Sequence, residues 1–206
     1  MKRREMLIKS ALTVPLASAS LSAAFASATR SVRGPRADYF PNFVLRTQDN
    51  KAVRFYDDLV QGKIVLFNFF YATCEGVCPA ATANLGKVQK LLGASLGRDY
   101  FMYSITLDAD HDRPKALKEY ARMHGVGPGW LLLTGKHDEI EILRHKLGYA
   151  DPNPVRDKDK SQHIGLVRYG NEAMDRWGAC PVLSNPERIA EFVHWMDFPK
   201  NWPGKK

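Results

Sequence analysis

The chain has 206 residues, of which 45% are hydrophobic and 25% charged, a composition typical of one globular domain. The net charge of +8 falls to +5 once residues 1–28 are set aside, because they hold four basic residues and one acid. The remaining basic residues alternate with acids along the chain, which argues against a nucleic-acid-binding surface. Attraction to an anionic partner or to a membrane surface stays open.

Residues 1–28 are typical of a bacterial export signal. The segment 2–9 contains a twin-arginine pattern, a mildly apolar stretch follows, and residues 26–28 (Ala-Ser-Ala) form a small-x-small cleavage pattern. An ordinary Sec signal is the alternative. Both predict export to the periplasm, with tethering to the inner membrane if the signal stays uncleaved. No later segment approaches the ~20 apolar residues of a membrane span.

We expect a linker at 29–38, a domain at 39–200 and a tail at 201–206. The predicted elements, in chain order, are a hairpin of strands 43–47 and 52–55, strand 64–71, helix 79–92, strand 101–107, helix 112–124, strand 130–133, helix 138–147, a polar loop 151–161, strands 163–168 and 177–180, and helix 186–196. Asp112 is the predicted N-cap of its helix. This alternation predicts an α/β fold, with a central mixed sheet flanked by helices and an N-terminal β-hairpin.

Two cysteines, Cys74 and Cys78, lie where the buried strand 64–71 ends and a helix should begin. In α/β sheets this end of a strand is where ligands bind. The spacing predicts that both sulfurs share a helix face, pointing at each other or at a soft metal ion. Because a helix N-terminus stabilises anions, both thiols should ionise more readily than free cysteine. The pair therefore predicts redox chemistry or metal binding.

Two less specific interpretations of the pair also exist. A structural disulfide between Cys74 and Cys78 would close so short a loop that it would constrain little of the unfolded chain. Zinc is a second candidate metal, since Cys/His zinc sites with an open position are known.

The surrounding motifs resemble those of one family. They are Phe-Phe-Tyr at 69–71, Thr-Cys-Glu-Gly-Val-Cys-Pro at 73–79, Ala-Asn-Leu at 83–85, Ser-Ile-Thr-Leu-Asp at 104–108, Asp-Arg-Pro at 112–114 and a histidine at 163. Over about residues 39–196 the chain resembles the Sco/SenC family, thioredoxin-fold copper chaperones of cytochrome oxidase assembly. The resemblance implies a thioredoxin-like fold and a copper site formed by Cys74, Cys78 and His163. Two thiolates and an imidazole suit Cu(I) and also tolerate Cu(II).

Some residues depart from the family pattern. Gln162 precedes His163 where the family usually has an acid, which would orient the imidazole and raise its basicity. Cys180 lies in a C-terminal part unlike the common family ending. We interpret it as a small buried side chain, with a redox partner of the pair as the alternative. Among the other histidines, His111 follows Asp108 in a loop that could lie near the site.

Two functions fit this sequence. The first is a copper-binding metallochaperone that delivers copper to a haem–copper (cytochrome c) oxidase, or to another periplasmic copper protein. The second is a thiol–disulfide oxidoreductase in which Cys74 and Cys78 form the redox-active pair and reduce partner cysteines. His163 separates the two, because only copper binding requires it.

Overall fold

The computed structural model describes residues 33–159 and 165–198. Seven strands form one sheet in the order β2-β1-β5-β4-β3-β6-β7. The strands are β1 (Val44–Thr47), β2 (Ala52–Arg54), β3 (Ile64–Phe70), β4 (Tyr100–Thr106), β5 (Trp130–Thr134), β6 (Leu166–Asn171) and β7 (Arg176–Pro181). Strands β3, β4 and β5 are parallel to one another, and β1–β2, β1–β5, β3–β6 and β6–β7 pair antiparallel. The predicted mixed sheet and N-terminal hairpin are confirmed.

Helices cover both faces of the sheet. They are α1 (Val77–Leu92), α2 (Pro114–Met123), α3 (His137–Lys146), α4 (Pro154–Lys158) and α5 (Pro186–Trp195), and a single π-helical turn spans Phe55–Val60. Every residue of β3 is buried, because one face of the sheet packs under α1, α2 and α5 while the other packs under α3 and the π-helical turn. A strand buried on both faces carries the continuous apolar run that predicted it.

The start of α1 and the presence of α4 differ from expectation for local reasons. Helix α1 begins at Val77, so Pro79 is its third residue, where the missing N–H costs no intrahelical bond. The predicted polar loop contains α4, a helix too short to show periodicity, which Asn153 caps by accepting hydrogen bonds from the next turn. The start of the strand predicted at 163–168 lies outside the described residues.

The parallel strands give the sheet two distinct edges. Strands β3, β4 and β5 all end at the same edge, here called the carboxyl edge, and each is followed there by a loop leading into α1, α2 or α3. The loops 71–76, 107–113 and 135–136 are therefore neighbours. This is the edge at which side chains of an α/β sheet converge on ligands.

The opposite edge, here called the amino edge, holds the leading residues of the domain. Residues 34–40, of which 34–38 belong to the predicted linker, form turns packed against it. Glu172, at the end of β6, is 1% exposed and accepts hydrogen bonds from the Tyr56 hydroxyl (2.7 Å) and the Gly62 N–H (2.8 Å). It also accepts one from the Arg36 N–H (3.2 Å), and Phe40 packs edge-on against neighbouring aromatic rings.

Within residues 33–159 and 165–198, no helix combines the length and apolar character needed to cross a bilayer.

Candidate metal and redox site

The cysteine pair lies at the carboxyl edge, in the connection from β3 to α1. Cys74 is in the turn before the helix, where its N–H donates to the Tyr71 carbonyl at 3.2 Å, and Cys78 is in the first turn of α1. The prediction that both share one helix face is therefore wrong for Cys74. The turn nevertheless brings the two thiols into hydrogen-bond contact. They do not form a disulfide, and both are buried, at 9% and 1% exposed.

The two sulfurs differ in proton affinity. Burial raises the pKa of the Cys74 thiol, but hydrogen bonds donated to its sulfur by the Cys78 thiol and N–H, the Tyr71 hydroxyl and the Gly76 N–H outweigh burial and lower that pKa. Burial, together with the hydrogen bond to Cys74 and the negative charge of Cys74, raises the pKa of Cys78 to about 12. The expectation that both thiols ionise readily is thus wrong for Cys78. Placing a second buried negative charge beside the first destabilises the thiolate of Cys78 more than the helix N-terminus stabilises it.

Asp112 organises the cysteine turn from the next loop. It is 2% exposed, and its Oδ2 accepts hydrogen bonds from the Ala72 N–H at 2.9 Å and the Thr106 hydroxyl at 2.5 Å. The N-cap of α2 is Arg113, which makes no side-chain capping bond, so the prediction of Asp112 as that cap is wrong. Asp112 instead ties the residue after Tyr71 to the end of β4, and its charge adds to the raised pKa of Cys78.

His111 lies in the same loop but faces solvent. Its side chain is 79% exposed and its Nδ1 is 3.0 Å from Asp108 Oδ1, a hydrogen bond that raises the pKa of the imidazole. Among the described residues, no group of three or more His, Cys, Asp or Glu side chains is placed to hold a metal ion. His111 is therefore not gathered with Cys74 and Cys78.

The predicted ligand His163 lies outside the described residues. Gly165 is the first described residue after His163. A β-carbon added at Gly165 would meet Val182 Cγ1 at 3.5 Å and Val77 Cγ2 at 3.8 Å. Gly165 also accepts a hydrogen bond from the Val182 N–H at 2.8 Å. Residue 165 thus lies against the first residue of α1, adjacent in sequence to Cys78.

Cys180 is on β7, opposite Val167 of β6, and is buried in the core on the α1 side of the sheet. Burial raises the pKa of its thiol. A buried, protonated cysteine in a packed sheet fits the interpretation of a small apolar side chain.

Comparison with known proteins gives consistent relatives. A SCO1 protein homolog of Bacillus subtilis is 34% identical over 101 residues, which are 48% of this chain and about half, 51%, of that relative's length. An SCO2-like protein of Rickettsia conorii is 28% identical over 152 residues, covering 70% of this chain and 71% of the relative.

Solved structures show the same architecture. Bradyrhizobium japonicum ScoI with copper bound matches with a TM-score of 0.59 and 25% identity, over 75% of this chain and 96% of that one. BsSco, described as a member of the Sco family of cytochrome c oxidase assembly proteins with a disulfide switch, matches with a TM-score of 0.60 and 27% identity, over 73% and 88%. The thioredoxin-like fold is thereby confirmed.

The family model described as SCO1/SenC matches residues 32–196, a span that begins just before the described domain and ends after α5. The match includes the cysteine turn, the Asp112 loop and the entry to β6. The chain therefore belongs to the SCO1/SenC family.

Proposed function

We propose that this protein is a periplasmic copper chaperone that binds one copper ion through Cys74, Cys78 and His163. It would deliver that ion to a haem–copper oxidase during assembly, or to another periplasmic copper protein. The observation that carries the proposal is the pair of buried, reduced thiols in hydrogen-bond contact at the start of α1. A soft donor pair shielded from water suits Cu(I) and disfavours harder cations.

The donor set fits the cargo in number as well as in type. Two thiolates and one imidazole leave copper open to a further ligand, which a carrier needs if it is to release its ion. His163 is two residues before Gly165, a separation of at most ~7 Å along an extended chain. The closeness of Gly165 to Val77 therefore supports His163 as the third ligand. The copper found in Bradyrhizobium japonicum ScoI supports the choice of metal.

Loading and release involve different tasks for the two sulfurs. Cys74 supplies the first thiolate, because its pKa is the lower of the two. Cys78 must lose its proton as copper binds, which makes binding release a proton and tighten as pH rises. Asp112 holds the turn so that both sulfurs reach one ion. Release then requires only ligand exchange, in which acceptor ligands replace His163 and the two sulfurs without any change of oxidation state.

The test is an oxygen-free titration of the reduced protein with Cu(I) against a competing chelator. Wild type should bind one equivalent, and His163→Ala should bind at least about tenfold more weakly, since loss of one of three ligands removes more than 1.4 kcal/mol. His137→Ala is the matched control, because His137 is exposed on α3. Cys180→Ser should bind like wild type. If His163→Ala binds copper as tightly as wild type, the ligand assignment is wrong.

The hydrogen bond between the thiols also favours a second candidate, a thiol–disulfide oxidoreductase. The Cys74 thiolate would attack a partner disulfide, forming a mixed disulfide and releasing one partner thiolate. Cys78, once deprotonated, would then attack the Cys74 sulfur, leaving an oxidised Cys74–Cys78 pair and a reduced partner dithiol. The disulfide switch described for BsSco supports this alternative.

The same variants separate the two candidates. Under the copper proposal, His163→Ala loses tight copper binding while its dithiol still forms a disulfide. Weak copper binding in both proteins, with rapid reduction of a partner disulfide, would favour the oxidoreductase.

A further inference from the structure

A polar groove, separate from the cysteine turn, opens at the carboxyl edge on the face of the sheet covered by α2. It has a volume of about 580 Å³ and lies between β1, the start of α2 and the loop after β5. The side chains that decide its chemistry are Arg46, Arg113, Thr134 and Lys136. The cysteine pair, Tyr71 and Asp112 are absent from its lining, so it is distinct from the copper site.

The wall of the groove contains a buried hydroxyl that has no hydrogen-bond partner among the described residues. Thr134 is 3% exposed and its Oγ1 is unpaired. It is directly opposite Arg46 in the antiparallel pairing of β1 with β5. Cross-strand partners of this kind project from the same face of the sheet. Thr134 therefore projects to the side on which Arg46 lines the groove. Buried hydroxyls are ordinarily paired, so this one points to a ligand.

The groove carries positive charge that the protein itself does not neutralise. The Arg46 guanidinium donates to the Asn50 carbonyl, and that of Arg113 donates to the Asp110 carbonyl, each at 3.2 Å. Neither has a carboxylate partner within residues 33–159 and 165–198. Lys136, by contrast, is paired with Glu139 at 3.0 Å, and these two lining charges cancel. Two arginine charges remain.

The first turn of α2 adds to this field. The helix has ten residues, its N-cap Arg113 makes no side-chain capping bond, and its first turn holds no acid. No acid within the first turn offsets the partial positive charge of the helix N-terminus, and Pro114 of that turn lines the groove. Guanidinium and hydroxyl donors near a helix N-terminus form a set suited to an oxyanion.

We propose that this groove binds a small phosphate-type oxyanion, held by the guanidinium groups of Arg46 and Arg113 and by the Thr134 hydroxyl. All three groups donate hydrogen bonds, and the two guanidinium groups supply the charge. The proposed anion site does not involve copper, so the result of its test is independent of the proposed function.

The test measures the thermal unfolding midpoint of the purified, copper-free protein as inorganic phosphate replaces chloride at constant ionic strength and pH. Wild type should show a saturable rise, because a ligand that binds only the folded state stabilises it. Arg46→Gln and Arg113→Gln should each need about tenfold more phosphate for the same rise. Lys87→Gln is the matched control, since Lys87 is an exposed cation on α1 with no carboxylate partner among the described residues. It should respond like wild type.

Thr134→Val distinguishes a threonine that binds the anion from one with a purely structural role. Removing a buried, unpaired hydroxyl should raise the midpoint in chloride, while the response to phosphate should fall severalfold. The proposal is overturned if phosphate has no saturable effect on wild type. It is equally overturned if wild type and the three groove variants respond alike, which would identify a general salt effect.

Discussion

Replacing Asp112 tests how the cysteine turn is held. The carboxylate is buried, and one of its oxygens accepts hydrogen bonds from the Ala72 N–H and the Thr106 hydroxyl. Asp112→Asn keeps the shape and one acceptor oxygen but removes the charge. A hydrogen bond to a charged acceptor contributes ~1.5–3 kcal/mol, against ~0.5–1.5 kcal/mol for a neutral one. Two such bonds predict a loss of about 2 kcal/mol in the free energy of unfolding.

Asp112→Ala should cost more, about 3–4 kcal/mol, because it leaves the Ala72 N–H and the Thr106 hydroxyl without their acceptor. The charge of Asp112 also raises the pKa of Cys78, so both variants should lower that pKa and speed alkylation of Cys78 at a fixed pH. The stability loss and the faster alkylation have separate causes, a broken tether and a missing negative charge.

The free energy of unfolding is measured by urea unfolding of the reduced protein. In a separate experiment on the folded protein, mass spectrometry measures the rate at which iodoacetamide labels Cys78. Asp110→Asn is the matched control, because Asp110 is an exposed acid of the same loop. It should change the free energy of unfolding by less than ~0.5 kcal/mol. If Asp112→Asn is as stable as Asp110→Asn, the turn does not depend on this carboxylate and the reasoning fails.

Three further results are expected. Glu172→Gln should lose about 2 kcal/mol in urea unfolding, because its buried carboxylate accepts three hydrogen bonds; a change under ~0.5 kcal/mol would contradict this. A hydrogen bond from Arg144 lowers the pKa of Asp157 in the folded state, so this pair stabilises the fold above about pH 4 and less as pH falls further. The stability gap between wild type and Asp157→Asn should therefore narrow on acidification, and a gap independent of pH would refute the pairing. In limited alkylation near neutral pH, Cys74 should be labelled before Cys78, because its thiol has the lower pKa; the reverse order would contradict the assignment.

Much of the architecture follows from local patterns. The unbroken apolar run of β3 predicts a strand buried on both faces, and the Asp-Arg-Pro sequence predicts the start of α2. The same sequence suits a capping aspartate and a tethering one equally well. What decides between them is the Ala72 N–H, 40 residues away along the chain and close only because β3 and β4 are parallel neighbours.

The chemistry of the site also depends on contacts between residues that are far apart in the chain. Spacing predicted that Cys74 and Cys78 would meet, but their proton affinities depend on burial depth and on which sulfur receives more hydrogen bonds. The oxyanion groove had no sequence signal, because Arg46 and Thr134 become partners only through the register of β1 against β5.

The two edges of the sheet also set the direction in which the protein can reach. The leading residues 34–40 are fastened at the amino edge through Glu172, whereas the thiols lie beyond the other end of β3, a strand of seven residues or ~23 Å. Attaching the domain to a support at the amino edge should therefore leave the carboxyl edge, with its two thiols, facing away from that support.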